Sequence, residues 1–178
     1  MNKSVSHEEN LRRISKLSKI MKWMSRILAI VLPVLVSLPW LFGDQTTIAY
    51  LTHLESDMLD VNWLDRLWAV ILVMGTTLIA SFGLFVLARL FHRFQNGDFF
   101  EIVTVTHLKL FGQAIFLFGL AKTLAATAML PILTDGKFFV IAIDLSDLMI
   151  MLIGGAFWIA SWVMLVGRHL SDEMADVI

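Results

Sequence analysis

Residues 67–91 read LWAVILVMGTTLIASFGLFVLARLF, and their only charge is Arg89, near the end of the run. As an α-helix this stretch extends about 37 Å, at about 1.5 Å per residue, against a hydrocarbon core of about 30 Å. In lipid every backbone N–H and C=O must be paired inside the segment, which a helix achieves by itself. The stretch therefore reads as a tilted transmembrane helix. The same test finds a shorter span at 27–42, interrupted by Pro33 and Pro39, and two more at about 108–132 and 144–166. The fourth could start as early as Phe138, because Phe138–Ile143 is wholly apolar. Composition agrees. Of 178 residues 58% are apolar and 16% charged, and the mean hydropathy is +0.78. A disordered chain is excluded, and so little polar surface argues against a soluble enzyme. The fold class is an all-α integral membrane protein, with four transmembrane helices arranged as two hairpins.

Basic residues orient the spans. Lys3, Arg12, Arg13, Lys16, Lys19, Lys22 and Arg26 precede the first, Arg89, Arg93 and Lys109 flank the second connection, and Arg168 lies in the tail. The other two connections hold only Arg66 and Lys137, among many carboxylates. The expectation is a bacterial inner-membrane protein with both termini cytoplasmic. The basic flank is too long for a signal-peptide n-region and no small-residue cleavage site follows, so the first span reads as an uncleaved anchor.

Two amphipathic segments lie outside the spans. Residues 1–26 form the basic one, a helix opened by the capping-box pattern Ser6-His7-Glu8-Glu9. Leu11, Ile14, Leu17, Met21 and Met24 recur at helical spacing along one face, and Arg12, Lys16, Lys19, Lys22 and Arg26 line the other. Such a face binds the anionic cytoplasmic leaflet or docks a cytosolic partner, and Arg93 and Arg168 on the same side are further docking candidates. Direct nucleic-acid binding is not expected, because no DNA-reading module surrounds it. On the opposite side, Ile48, Leu51, Leu54, Met58, Val61 and Leu64 alternate with Glu55, Asp57 and Asp60, which predicts an acidic amphipathic helix over 48–64. Between the second and third spans, Asn96-Gly97 is a turn, and Asp98 with Glu101 reads as an N-cap and its partner.

Chemistry is sparse. Without cysteine there is no disulfide, thiolate metal site or cysteine nucleophile. His7, His53, His92, His107 and His169 match no metal spacing and lack the facing pair that a membrane haem needs, so no cofactor or metal is expected. No catalytic motif is present either, and a non-enzymatic protein is expected. Lys122 is the one cation deep inside a span, which makes it a functional-site hypothesis by default. The third and fourth spans turn near Thr134–Gly136, and Asp147 lies about as far after that turn as Lys122 before it. An ion pair follows if the fourth helix starts early; if it starts at Asp144, the two sit about 10 Å apart along the axis. Asp144 shares a face with Asp147. The pair is either a register lock or part of an ion or ligand path, the latter making the chain a small oligomeric transporter or channel subunit. Gly112, Gly119, Gly154, Gly155, Ala156 and Ala160 mark close helix packing within the bundle or in a homo-oligomer.

Two segments resemble a bacterial family of four-span membrane proteins known as domain of unknown function 2975. In one, Leu87-Ala88-Arg89-Leu90-Phe91 leads through Phe94, Gly97 and Phe99 or Phe100 to Leu108 and Gly112. In the other, Asp147-Leu-Met opens an apolar run with Gly154 that closes on Gly167-Arg-His-Leu170. The likeness covers residues from about 25 onward. The tail ends Ala-Asp-Val-Ile where Thr-Val is common in that family, and the basic helix is longer than usual. The resemblance implies a non-enzymatic protein whose relatives are often encoded beside a small helix-turn-helix regulator. It thus points to a sensor or tether that restrains such a regulator. An accessory subunit of a larger membrane complex is the remaining reading.

Overall fold

The computed structural model describes residues 2–44, 47, 62–98, 101–134, 136 and 141–175, with side chains from 15 to 168 of these. Four helices span them: α1 (Asn2–Phe42), α2 (Trp63–Asn96), α3 (Ile102–Leu133) and α4 (Leu145–Ala175). There is no strand among the described residues. Each helix is long and apolar enough to cross a membrane. Each also runs past the hydrophobic stretch that announced it, because helical pairing continues until a backbone signal stops it. The acidic helix expected over 48–64 falls almost wholly outside the described residues.

The first helix departs most from expectation. The basic segment and the first span are one helix of 41 residues, unbroken at residue 26 and through Pro33 and Pro39. Ser6 is therefore an interior helical residue and caps nothing. Within the span, the Ser37 hydroxyl donates to the Pro33 carbonyl at 2.5 Å.

Stops and starts follow backbone chemistry. Gly97, at φ 87°, ends α2. Its N–H bonds to the Phe94 carbonyl, and that of Asp98 to Arg93, a Schellman closure that needs the left-handed glycine. The α2 start is held by Asp65, whose carboxylate accepts the Asn62 N–H at 3.0 Å. The expected Asp98–Glu101 cap does not form. Glu101 stands at the N-cap of α3 without a side-chain cap bond, and both carboxylates turn to Arg93, at 3.6 and 3.5 Å. An opposite charge within reach outcompetes the local cap.

The helices pack in chain order, α1 on α2, α2 on α3 and α3 on α4, and no other pair approaches closely among the described residues. Neighbours run antiparallel: Lys22 Nζ of α1 meets Gln95 of α2 at 3.2 Å, and Arg66 of α2 reaches the Gly43 carbonyl beyond the other end of α1. Both termini and the 97–101 connection therefore share one end. The interior mixes small polar residues, with Ser18, Ser25, Ser37, Thr77, Ser81 and Ser161 buried, and apolar ones such as Ala69, Val86 and Leu90. The exterior is large and apolar, including Ile30, Leu35, Trp68, Leu152 and Val163. This arrangement suits a solvent of acyl chains. Small residues let backbones approach, and lipid takes the bulky side chains. A compact apolar cluster of Trp40, Ala69, Met129 and Leu133 ties α1, α2 and α3 together at the end away from the termini.

Candidate functional site

α3 and α4 approach closely, and glycine makes the approach possible. A Cβ on Gly154 would lie 2.5 Å from the Phe116 nitrogen, and one on Gly112 would lie 2.8 Å from the Gly154 carbonyl oxygen. At Gly119 it would meet Met151 and the Asp147 carbonyl. Phe111 and Phe157 stack edge to face beside this crossing, with centroids 5.6 Å apart. Lys109 lies over the Trp162 ring at 4.9 Å. Of the small residues expected at helix contacts, Gly112, Gly119 and Gly154 are there. Gly155 faces open space, and Ala156 and Ala160 are exposed.

Toward the other end the same interface becomes polar. Lys122 Nζ lies 2.5 Å from Asp147 Oδ1, and the Thr123 hydroxyl reaches Oδ2 at 3.4 Å. Asp147 is 2% exposed, whereas 43% of the Lys122 side chain is accessible. The carboxylate is thus enclosed between helices while the ammonium faces outward.

The pair forms although α4 starts only at Leu145, the case in which straight helices would leave the partners apart. The connection supplies the missing descent. Residues 141–144 are not helical and run back along α3, where the Ala142 N–H donates to the Thr127 hydroxyl at 3.2 Å. From Leu133 to Thr127 is about 9 Å of helix, at about 1.5 Å per residue. Ala142 is thus already at the level of Thr127 when α4 begins three residues later. The Thr127 hydroxyl in turn donates to the Thr123 carbonyl at 2.9 Å. Thr123 and Thr127 thus form a polar ladder beside Lys122 that grips the returning strand of chain and keeps its backbone satisfied.

Asp144 caps α4. Its carbonyl accepts from Asp147 and Leu148, and its carboxylate accepts the Ser146 hydroxyl at 2.8 Å and the Ser146 N–H at 3.3 Å. These bonds, the hydroxyl foremost, hold its carboxyl below the ordinary range, helped by the charge of Lys122. Asp144 does not pair directly with Lys122. Sequence reasoning named both aspartates and the lysine but missed Thr123, Thr127 and Ser146. The Thr-x-x-x-Thr step directly after Lys122 was the available signal.

A cavity of about 510 Å³ opens beside this cluster, walled by Trp40, Met129 and Leu133 and rimmed by Lys122, Asp144 and Asp147. No group of three or more histidines and carboxylates arranged to hold a metal occurs among the described residues.

The basic residues singled out for docking divide. Lys16, Lys19 and Arg26 are exposed. Lys22 is engaged by Gln95, and Arg93 by Asp98 and Glu101. Arg168 is half-buried and has a partner of its own, and the side chain of Arg12 lies outside the described residues.

The architecture is that of a multi-pass membrane protein. No protein-family model matches the chain, and neither the curated proteins nor the solved structures provide a match.

Proposed function

We propose that this chain is a non-enzymatic bacterial inner-membrane protein that holds a cytosolic partner at the membrane. The resemblance to the domain of unknown function 2975 family suggests a small helix-turn-helix regulator as that partner. Both termini would be cytoplasmic by the distribution of basic residues. The observation that carries this reading is the continuity of α1. Its 41 residues extend about 61 Å, twice the hydrocarbon thickness. A helix rigidly continuous with its span leaves the bilayer and does not fold flat upon it. It presents Lys16, Lys19 and Arg26 on its exposed surface. Membrane lipids would still meet Arg26, nearest the span.

The test is a mild-detergent pull-down of the tagged chain from its native membrane, read by mass spectrometry and repeated with Lys16→Glu and Lys19→Glu together. A small helix-turn-helix protein captured by the wild type and lost from the double variant is the expected result. Recovery of membrane subunits alone, or retention that is unaffected by charge reversal, would refute the tether.

A further inference from the structure

The cavity between Trp40 of α1 and the head of the α3–α4 hairpin is not used by the tether reading, and the charges of its described rim residues do not balance. Lys122 and Asp147 neutralise one another across 2.5 Å. Asp144 remains on the rim, with Ser146 as its hydrogen-bond donor and no cation in salt-bridge reach among the described residues. Asp144 is exposed, and its carboxylate stands at the mouth of the cavity where a cation entering would meet it. It stays ionised, since the Ser146 bonds favour the charged form. The walls are hydrophobic, and one of them is an indole, the aromatic surface best suited to an organic cation. About 510 Å³ is room for a small organic molecule. A hard divalent ion is a poorer match, for it wants several oxygen ligands and this rim offers one free carboxylate next to an ammonium.

We propose that this cavity binds an amphipathic organic cation, its charge against Asp144 and its apolar body against Trp40, Met129 and Leu133. The inference is independent of the tether, and its failure would leave that reading untouched.

Tetraphenylphosphonium and tetraphenylborate have nearly the same shape and opposite charge. They therefore ask which sign the cavity prefers. The full chain in lipid nanodiscs is dialysed against each, and binding to empty nanodiscs is subtracted. The phosphonium should bind at one site per chain, and the borate should not. Asp144→Asn keeps a good helix cap while removing the charge, and should weaken phosphonium binding at least about tenfold. Ala126→Phe, which fills the cavity from α3, should weaken it as well, with helicity unchanged by circular dichroism. Absent phosphonium binding, equal or stronger binding of the borate, or phosphonium affinity indifferent to both substitutions, each overturns the proposal.

Discussion

Replacing Lys122 by methionine tests whether the ion pair locks the α3–α4 hairpin. Asp147 is 2% exposed, and its other side-chain contact is the Thr123 hydroxyl at 3.4 Å, so the substitution leaves an enclosed carboxylate with one long hydrogen bond. Uncovering a buried charge in this way costs about 3–5 kcal/mol. The accessible Lys122 side chain shows that the site is open on one flank, which admits screening and places the loss near the lower end. The expected value is about 3 kcal/mol, or about 150-fold in the unfolding constant. Asp147→Leu strands an ammonium inside the span, and should cost about 2.5–3 kcal/mol. With both changed, two apolar side chains of similar volume replace the pair, and the double variant should lie within about 1 kcal/mol of the wild type. The assay is a double-mutant cycle by denaturing-detergent titration in mixed micelles, followed by circular dichroism. A coupling of about 5 kcal/mol is expected, with partner retention unchanged in the double variant. Strictly additive effects, or a Lys122→Met loss below about 0.5 kcal/mol, would refute the lock. A folded, stable Lys122→Met protein that had lost a transport activity would point instead to an ion path.

Two neighbouring glycines should respond in opposite ways in the same assay. Gly154→Ala drives a methyl group into the Phe116 and Gly112 backbones and should cost about 2–3 kcal/mol, whereas Gly155→Ala meets nothing and should stabilise by up to about 1 kcal/mol through helix propensity. Equal effects would contradict the helix crossing described above. Ser81→Ala should be neutral or stabilising by up to about 1 kcal/mol, since its hydroxyl is buried without a hydrogen-bond partner; a clear loss would reveal a partner. Asp144 has a folded-state pKa below its ordinary value, so the stability it adds is complete above the ordinary carboxylate range and is lost as pH falls through the folded value. The gap between wild type and Asp144→Asn, followed from pH 7 to pH 3, should therefore close on acidification, and a gap that widened would contradict the assigned bonds.

Helix number and order were legible because twenty or so apolar residues in sequence have few alternatives to a helix in lipid. The ion pair was legible in its members and not in its geometry. Depth arithmetic assumed helical rise on both sides of the turn, and the non-helical descent at 141–144 broke that assumption. The hydroxyl of Thr127 makes the descent possible, and a threonine in a span reads equally well as a residue bonded to its own helix. Ser6-His7-Glu8-Glu9 failed as a helix start for a related reason. A capping box is a preference of modest strength, and helix-forming residues on both sides carry the helix through it. Asp98 and Glu101 failed as a cap because Arg93, read in sequence as a topology signal and a docking candidate, lies within reach of both.

The two hairpins are held by different means. α3 and α4 share glycine contacts, a threonine ladder and an ion pair, all of which require one register. α2 and α3 meet at Gly83 and Ala114, beside an open apolar groove lined by the exposed Leu78, Phe82, Leu110 and Leu117. Theirs is the least extensive of the three helix contacts, so relative movement of the hairpins should occur along this seam before either hairpin opens. The proposed cation cavity spans the same division, with Trp40 on the first hairpin and its charged rim on the second. A ligand bridging the two would favour whichever arrangement brings Trp40 and Asp144 to its own dimensions, and it would do so only by its difference in affinity between arrangements. α1 carries Trp40 at one end and the basic residues Lys16 and Lys19 toward the other. A shift of the first hairpin would move both ends of this one helix, and with them the surface proposed to hold the partner.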